Sequence, residues 1–399
     1  MPKLTRHTSQ SRLRLRFNKR TLLAGTIGIV ILGTVLGILG IVMLPGNALR
    51  QLVALEPEKP TTSAGRPAAT HATAASGNPH SREPRSTSGH PYPDRWRVGA
   101  PALIGHRYKQ SDPNLPVPAG YTEVWPSDES SKEYDIYECK GTTTIDHKYF
   151  HAWIYIGANC HGTINITNSI IAPPPGSINR AILVNSDSSA PVTINISDTT
   201  IRPEPVPLGG KNDTLTDHVI NACDTCTITM TRVDVANSGG MCLCGENTLV
   251  RDSWLHDNYI AHLPDPGVAH TGGIYPYGGS GPVEISHNRL EPGTDAYHNR
   301  EVPNYWKAIT AVLFTQSTGS SVLRNYHVHD NFISMGGYDV FLQDGKEVIF
   351  RNNVFGPNYY GHTSTCTNPS DCSVTYADWT GNVTGDIAGK RTGTVVPHP

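Results

Sequence analysis

His256, Asp257, His262, Asp265 and His270 crowd into fifteen residues, and Tyr275 and Tyr277 follow soon after. A second polar group, His298, Glu301, Tyr305, Trp306 and Lys307, lies further along. An imidazole or a perturbed lysine amine can abstract a proton beside a carboxylate, and a tyrosine hydroxyl or a guanidinium can return one to a leaving oxygen. His270 and Lys307 are accordingly candidate bases, Tyr275 is a candidate acid, and Tyr277 is a candidate substrate contact. Aromatic faces beside hydrogen-bonding groups suit sugar rings. This is the division of labour that a polysaccharide lyase or a uronate epimerase requires. The competing role for any one of these histidines is packing within a turn or loop.

A pair of carboxylates would instead make a glycoside hydrolase. Asp339 and Asp344, with Glu284 or Glu301, are available but form no tight acidic group, so hydrolysis ranks below elimination. Asp339 is kept as a candidate substrate contact. Calcium is a candidate cofactor through Asp252, Asp257 and Asp265, although their spacing specifies no site. There is no phosphate-binding glycine loop, no GxSxG elbow and no HExxH zinc motif.

The elements that would carry these groups repeat. Ile164-Asn165-Ile166-Thr167-Asn168-Ser169-Ile170-Ile171 returns as Ile194-Asn195-Ile196-Ser197-Asp198-Thr199-Thr200-Ile201, and weaker copies start at Ile228, Thr248, Val283, Tyr326 and Val348. Successive starts differ by 30, 34, 20, 35, 43 and 22 residues, so the two shortest intervals approach one minimal solenoid coil and the others carry inserted loops. Within each phrase the period is two, which predicts strands with Ile164 and Ile166, Ile194 and Ile196, or Val283 and Ile285 facing inward. Asn168, Asp198, Asp252 and Asn352 fall at the bend, where Asn and Asp tolerate left-handed backbone. Further strands are expected at 180–184, 241–244, 308–314 and 338–342. One coil cannot bury its own apolar face, so several must stack. A β-sandwich is the rival fold, but the aligned phrase and its Asn/Asp bend favour a solenoid. Asn165, Asn195, Asn212 and Asn382 match the glycosylation acceptor pattern, and three of them are explained as repeat or turn residues.

Stacked coils lie about 4.8 Å apart, which turns the repeat into a predicted surface. Across the last four copies the outward columns read Leu249, Glu284, His327, Ile349 and Arg251, Ser286, His329, Arg351. Glu284, His327, His329, Arg251 and Arg351 are therefore expected to share one patch. His327 and His329 are candidate proton-transfer groups, with Arg251, Glu284 and Arg351 as substrate contacts for an acidic sugar. The alternative is ordinary charge pairing on a solvent-facing sheet.

Over roughly residues 115–385 the chain resembles the right-handed parallel β-helix proteins of the pectate-lyase-like fold, and most closely their secreted bacterial members without an assigned activity. The resemblance rests on His270-Thr271-Gly272-Gly273-Ile274, Val283-Glu284-Ile285-Ser286-His287-Asn288, Met335-Gly336-Gly337-Tyr338, Asn358-Tyr359-Tyr360-Gly361 and Trp379-Thr380-Gly381-Asn382. In similar sequences the first of these segments commonly reads His-Thr-Asp-Gly, whereas Gly272 stands here in place of the acidic residue. The resemblance implies an all-β parallel β-helix, and for many lyases of that fold a calcium ion. It does not fix an activity, because the scaffold hosts unrelated ones.

Composition and the N-terminus place the domain. The 399 residues hold 32 Lys+Arg against 34 Asp+Glu, a net charge of −2 with no basic excess for a nucleic-acid partner. A charged fraction of 17% with 38 Gly and 31 Pro disfavours helical bundles and suits a turn-rich β protein. Residues 1–20 form a basic, acid-free tail, expected in the cytoplasm. Residues 21–45 read as a single transmembrane anchor, because the 23 positions from Leu22 to Leu44 carry no charge and exceed the usual apolar region of a cleaved signal peptide. Residues 46–100 read as a disordered Pro/Ser/Thr/Ala-rich stalk, with folded sequence resuming around Tyr92 to Val98, and 101–390 as the β-helix domain. The eight cysteines, Cys139, Cys160, Cys223, Cys226, Cys242, Cys244, Cys366 and Cys372, all follow the stalk, an even number that predicts four disulfides in an exported domain. Cys139–Cys160 and Cys366–Cys372 are the expected local pairs, and pairing among the middle four stays open. The expectation is a bacterial cell-surface protein, anchored by its N-terminal helix, whose partner is an extracellular polysaccharide. It either processes that glycan or, as a non-catalytic adhesin, binds it.

Overall fold

The structure, a computed structural model, describes residues 92–94, 97–105, 115–174, 180–184, 192–204, 220–221, 226–243, 247–258, 272–276, 282–293, 311–315, 323–364 and 373–399. The expected tail and anchor, and the stalk as far as residue 91, lie outside the described residues. Among the described residues no helix is long and apolar enough to cross a membrane.

Those residues are all-β apart from one short 3-10 turn, Pro101–Leu103. Three long sheets take one strand each from every coil. The first sheet has nine strands, from Glu133–Cys139 to Gly361–Ser364. The second also has nine, from Thr142–Asp146 to Ser373–Thr380. The third has eleven, from Thr122–Val124 to Arg391–Val395. Neighbours within each sheet come from successive coils and pair in parallel. The exception is the last pair of the third sheet, Val383–Gly385 with Arg391–Val395, which is antiparallel. This is a solenoid-like stack and not a pair of facing antiparallel sheets.

The repeat phrase is the second sheet. Thr163–Thr167, Thr193–Ser197, Thr227–Thr231, Asn247–Arg251, Val283–Ser286 and Tyr326–His329 stand in the register that the repeat predicts, Ile164 opposite Ile194, Ile194 opposite Ile228, and Thr248 opposite Val283. Their alternate side chains, among them Ile164, Ile166, Ile194, Ile196, Ile228 and Ile285, are buried in one core shared by all three sheets. Each fully buried aliphatic side chain is worth about 1.5–3 kcal/mol against exposure, so the ladder as a whole drives the stacking.

Between the second and third sheets the chain turns through a single left-handed residue in every coil. His147, Asn168, Asp198, Arg232, Asp252, His287, Asp330, Asn352 and Gly381 have φ between 47° and 68°. In most coils the residue after the bend points inward. Ser169, Thr199 and Ser253 hold that place in early coils, and Asn288, Asn331, Asn353 and Asn382 in later ones, all buried. The side-chain carbonyls of those four asparagines accept from the backbone N–H groups of Ser253, Asn288, Asn331 and Asn353 at 2.9–3.1 Å. Their amides donate to the carbonyls of Val250, Ile285, Val328 and Phe350. Asn382, a formal glycosylation acceptor, is thereby a buried ladder residue. Asn195 donates to Asn165 at 2.9 Å on the second sheet.

A lead-in segment packs on the outside of the third sheet. Tyr92 meets Phe332 at 5.8 Å between ring centroids. Gly99 N–H donates to the Arg232 carbonyl, and Ala100 N–H to Thr200 Oγ1, each at 3.0 Å. Gly99 has φ of +89°, and a Cβ there would lie 2.6 Å from Thr200 Oγ1, so this approach requires glycine. Leu103 and Leu115 bury against Tyr149 and Ile170.

Cys139 and Cys160 are disulfide-bonded across the first sheet, in agreement with the pairing expected from sequence. Cys226 is also disulfide-bonded, and Cys242 is buried. Cys223, Cys244, Cys366 and Cys372 lie outside the described residues.

Candidate functional site

The two columns expected on the second sheet pair residue for residue. Leu249 stands opposite Glu284, Glu284 opposite His327, and His327 opposite Ile349; Arg251 stands opposite Ser286, Ser286 opposite His329, and His329 opposite Arg351. Within this patch His329 meets carboxylates on both ring nitrogens, Nδ1 at 2.8 Å from Asp330 and Nε2 at 3.6 Å from Glu284. Ser286 Oγ donates to Glu284 at 3.0 Å. Arg351 pairs with Asp378 and holds its carboxyl below the usual carboxylate range. Arg251 Nε donates to Thr231 Oγ1 at 3.3 Å. The five residues are brought together, but most of their charge is compensated by neighbours on the same face.

The first sheet carries a different surface. Tyr275, Phe314 and Phe341 follow one another across successive coils, with ring centroids 5.3 and 5.4 Å apart. The chain of rings continues from Phe341 to Tyr338 at 6.3 Å, to Tyr360 at 5.2 Å and to Tyr359 at 4.7 Å. None of the six belongs to the core cluster. Tyr275 is buried and Phe314, Phe341 and Tyr338 are half-buried, whereas Tyr359 and Tyr360 are 41% and 54% exposed.

A polar group adjoins the exposed end of this cluster. Tyr338 pairs with Gly361 across the last two strands of the first sheet, which sets Asp339 beside His362. Asp339 is fully buried, and His362 Nδ1 lies 2.7 Å from its Oδ2. Asn358 Nδ2 donates to the same oxygen at 2.9 Å and lies 2.8 Å from His362 Nδ1. Asp339 Oδ1 has no hydrogen-bond partner among the described residues. Burial pushes the Asp339 carboxyl up to about 7, against the lowering effect of His362 and Asn358. The His362 side chain keeps 29% of its surface exposed.

Of the other expected site residues, His270, Tyr277 and Lys307 lie outside the described residues, as do His262, Asp265, His298, Glu301, Tyr305 and Trp306. His256 and Asp257 stand at the end of a third-sheet strand. His256 is buried between Asp234 and Asp257, 2.7 Å from each, and its ring stacks on Trp254 at 3.5 Å. Asp252, for its part, bonds His287 at 2.7 Å. Two of the three carboxylates considered for calcium thus hold histidines, and the described residues contain no cluster of His, Cys, Asp and Glu fit for a metal ion. The described candidates therefore divide between two sheets, with Tyr275 and Asp339 on the first and the Arg251–Arg351 patch on the second. His362, Asn358, Tyr338 and Tyr360 carry no signal in the sequence that marks them as site residues. The period-two strand at 338–342 is legible there, but Gly361–Ser364 has no apolar alternation to mark it as a strand, so its pairing with Asp339 stays hidden.

The fold and these surfaces define a solenoid-like all-β protein with an aromatic face. Comparison with known protein families, curated proteins and solved structures yields no match to the chain.

Proposed function

We propose that this chain is a membrane-anchored extracellular protein that processes an acidic polysaccharide by lyase or epimerase chemistry, on a right-handed parallel β-helix of the pectate-lyase-like kind. The single observation that carries the reading is the contiguous ring chain from Phe314 through Phe341 and Tyr338 to Tyr360. A contiguous run of half-buried rings that ends in the exposed Tyr359 and Tyr360 suits a ligand face, and such rings present an apolar body to a sugar's C–H face while the tyrosine hydroxyls bond its oxygens. The adjoining Asp339–His362 pair supplies a group able to carry a proton.

Polygalacturonate, alginate and a glucuronate polymer are the direct probes. Expected are binding to at least one of them, absorbance of unsaturated products or inversion of the uronate centre, and at least a roughly tenfold weaker Kd in Tyr360→Ala, the scale of about 1.4 kcal/mol. Binding that Tyr360→Ala leaves unchanged would remove the ring cluster as the site. A second reading, a non-catalytic glycan-binding adhesin on the same fold, draws on the self-compensated charges of the second-sheet patch. It predicts binding without any change in the polymer.

A further inference from the structure

We propose that His362 is the proton-abstracting base of the glycan site and that Asp339 is its positioning residue, an assignment that rests on the glycan reading above. Six described histidines contact carboxylates, and only one pair has the form that proton transfer requires. His256 and His329 each have both ring nitrogens against carboxylates. His147 and His287 bond Asp146 and Asp252, which are 45% and 41% exposed and orient a ring weakly in water. His151 uses Nε2 on the 46% exposed Glu123, and its ring is covered by Trp125 at 4.0 Å. His362 alone joins a fully buried carboxylate through Nδ1 while Nε2 has no partner among the described residues and the ring reaches solvent.

The burial of Asp339 argues in the same direction. A carboxyl group that, among the described residues, has one oxygen unbonded and no lysine or arginine beside it is a costly way to fill a coil, because a buried polar atom without a partner destabilises the fold. As an orienting group it has a use. When Asp339 is ionised, an Nδ1–H donated to its Oδ2 leaves the Nε2 lone pair directed away from the carboxylate. Asn358 Nδ2 donates to the same Asp339 oxygen and lies 2.8 Å from His362 Nδ1.

Tyr360 precedes His362 by two residues, and Asn358, which lies 2.8 Å from His362 Nδ1, precedes Tyr359 and Tyr360, so a sugar stacked on Tyr360 is held by the same short segment that carries the imidazole. In the elimination, Nε2 takes the proton from the carbon α to the uronate carboxylate. The released electron pair forms a carbon–carbon double bond as the bond from the β carbon to the glycosidic oxygen breaks, and water protonates the departing oxygen. Return of a proton from water to the opposite face of the same carbon, without cleavage of the glycosidic bond, gives epimerisation from the same first step.

The test measures binding and turnover separately on the full-length chain with polygalacturonate, alginate and a glucuronate polymer. His362 is partly exposed, so His362→Gln is expected to fold, to bind within about threefold of the wild type, and to turn over at least ~100-fold more slowly. Free imidazole is expected to restore part of the activity of His362→Gly. Asp339→Asn is expected to lower kcat with KM unchanged. Wild-type turnover in His362→Gln, or wild-type binding with neither elimination nor inversion, would overturn the assignment of the base while leaving glycan binding intact. No binding by the wild type to any of the three polymers would overturn the glycan reading, and this assignment with it.

Discussion

His256 shows how this fold holds buried charge. Burial works against its protonated form, but Asp257 and Asp234 outweigh that effect and raise it from the ordinary 6.5 to about 10. A histidine with a raised pKa stabilises the folded state fully below its unfolded value, and this contribution is lost as pH rises through the folded value. The thermal midpoint is therefore expected to decline from neutral pH toward about 10, a slope that melting curves of His256→Phe should lack. At neutral pH His256→Gln would leave two largely buried carboxylates without their cation and cost about 3 kcal/mol in urea unfolding. Asp339 is the opposite case, a carboxyl raised by burial beside a partly exposed imidazole. Local sequence shows only the first of the two, because Asp257 adjoins His256 whereas Asp339 lies 23 residues before His362 and meets it only through the pairing of strands.

The asparagine ladder explains why the coils stay in register despite loops of unequal length. Asn331 donates to Ile285 and His329, accepts from Asn288 N–H, and receives a further bond from the Asn288 side chain. Asn331→Leu matches its size but orphans several buried backbone groups, so a loss of about 2–4 kcal/mol is expected from urea titration. An unchanged midpoint would show that the ladder does not hold the later coils. Much of the fold at this scale is legible in the sequence. The phrase at Ile164 and Ile194 specifies the strands, their facing and the register, because a period of two leaves one assignment once one face must be apolar. Asn168, Asp198, Asp252 and Asn352 mark the bend. What the repeat does not reveal is the ladder one position later, where Ser, Thr and Asn alternate in identity but share an inward direction. The bend also accepts His147, Arg232 and His287, residues without Asn or Asp character. The lead-in segment is readable only as a return of apolar residues, since its partners Thr200, Tyr149 and Phe332 lie far along the chain.

On the scale of the whole folded unit, the outer faces of the three sheets have separate fates. Tyr92, Ala100, Leu103 and Leu115 pack on the third, the second bears a polar surface on which His329 and Arg351 are paired, and the first presents its rings. The proposed function assigns glycan handling to the first sheet, and the second-sheet patch, the best-aligned feature of the sequence, becomes a control. Arg251→Ala with Arg351→Ala is expected to leave polymer affinity within about twofold, because both guanidinium groups already have partners on their own face. The most direct measurement is a crystal structure of the protein with a bound uronate oligosaccharide. The account predicts a sugar ring in van der Waals contact with Tyr338 and Tyr360 and its carboxylate-bearing carbon facing His362 Nε2. An oligosaccharide lying instead along the Arg251–Arg351 column, with the rings of the first sheet empty, would contradict it.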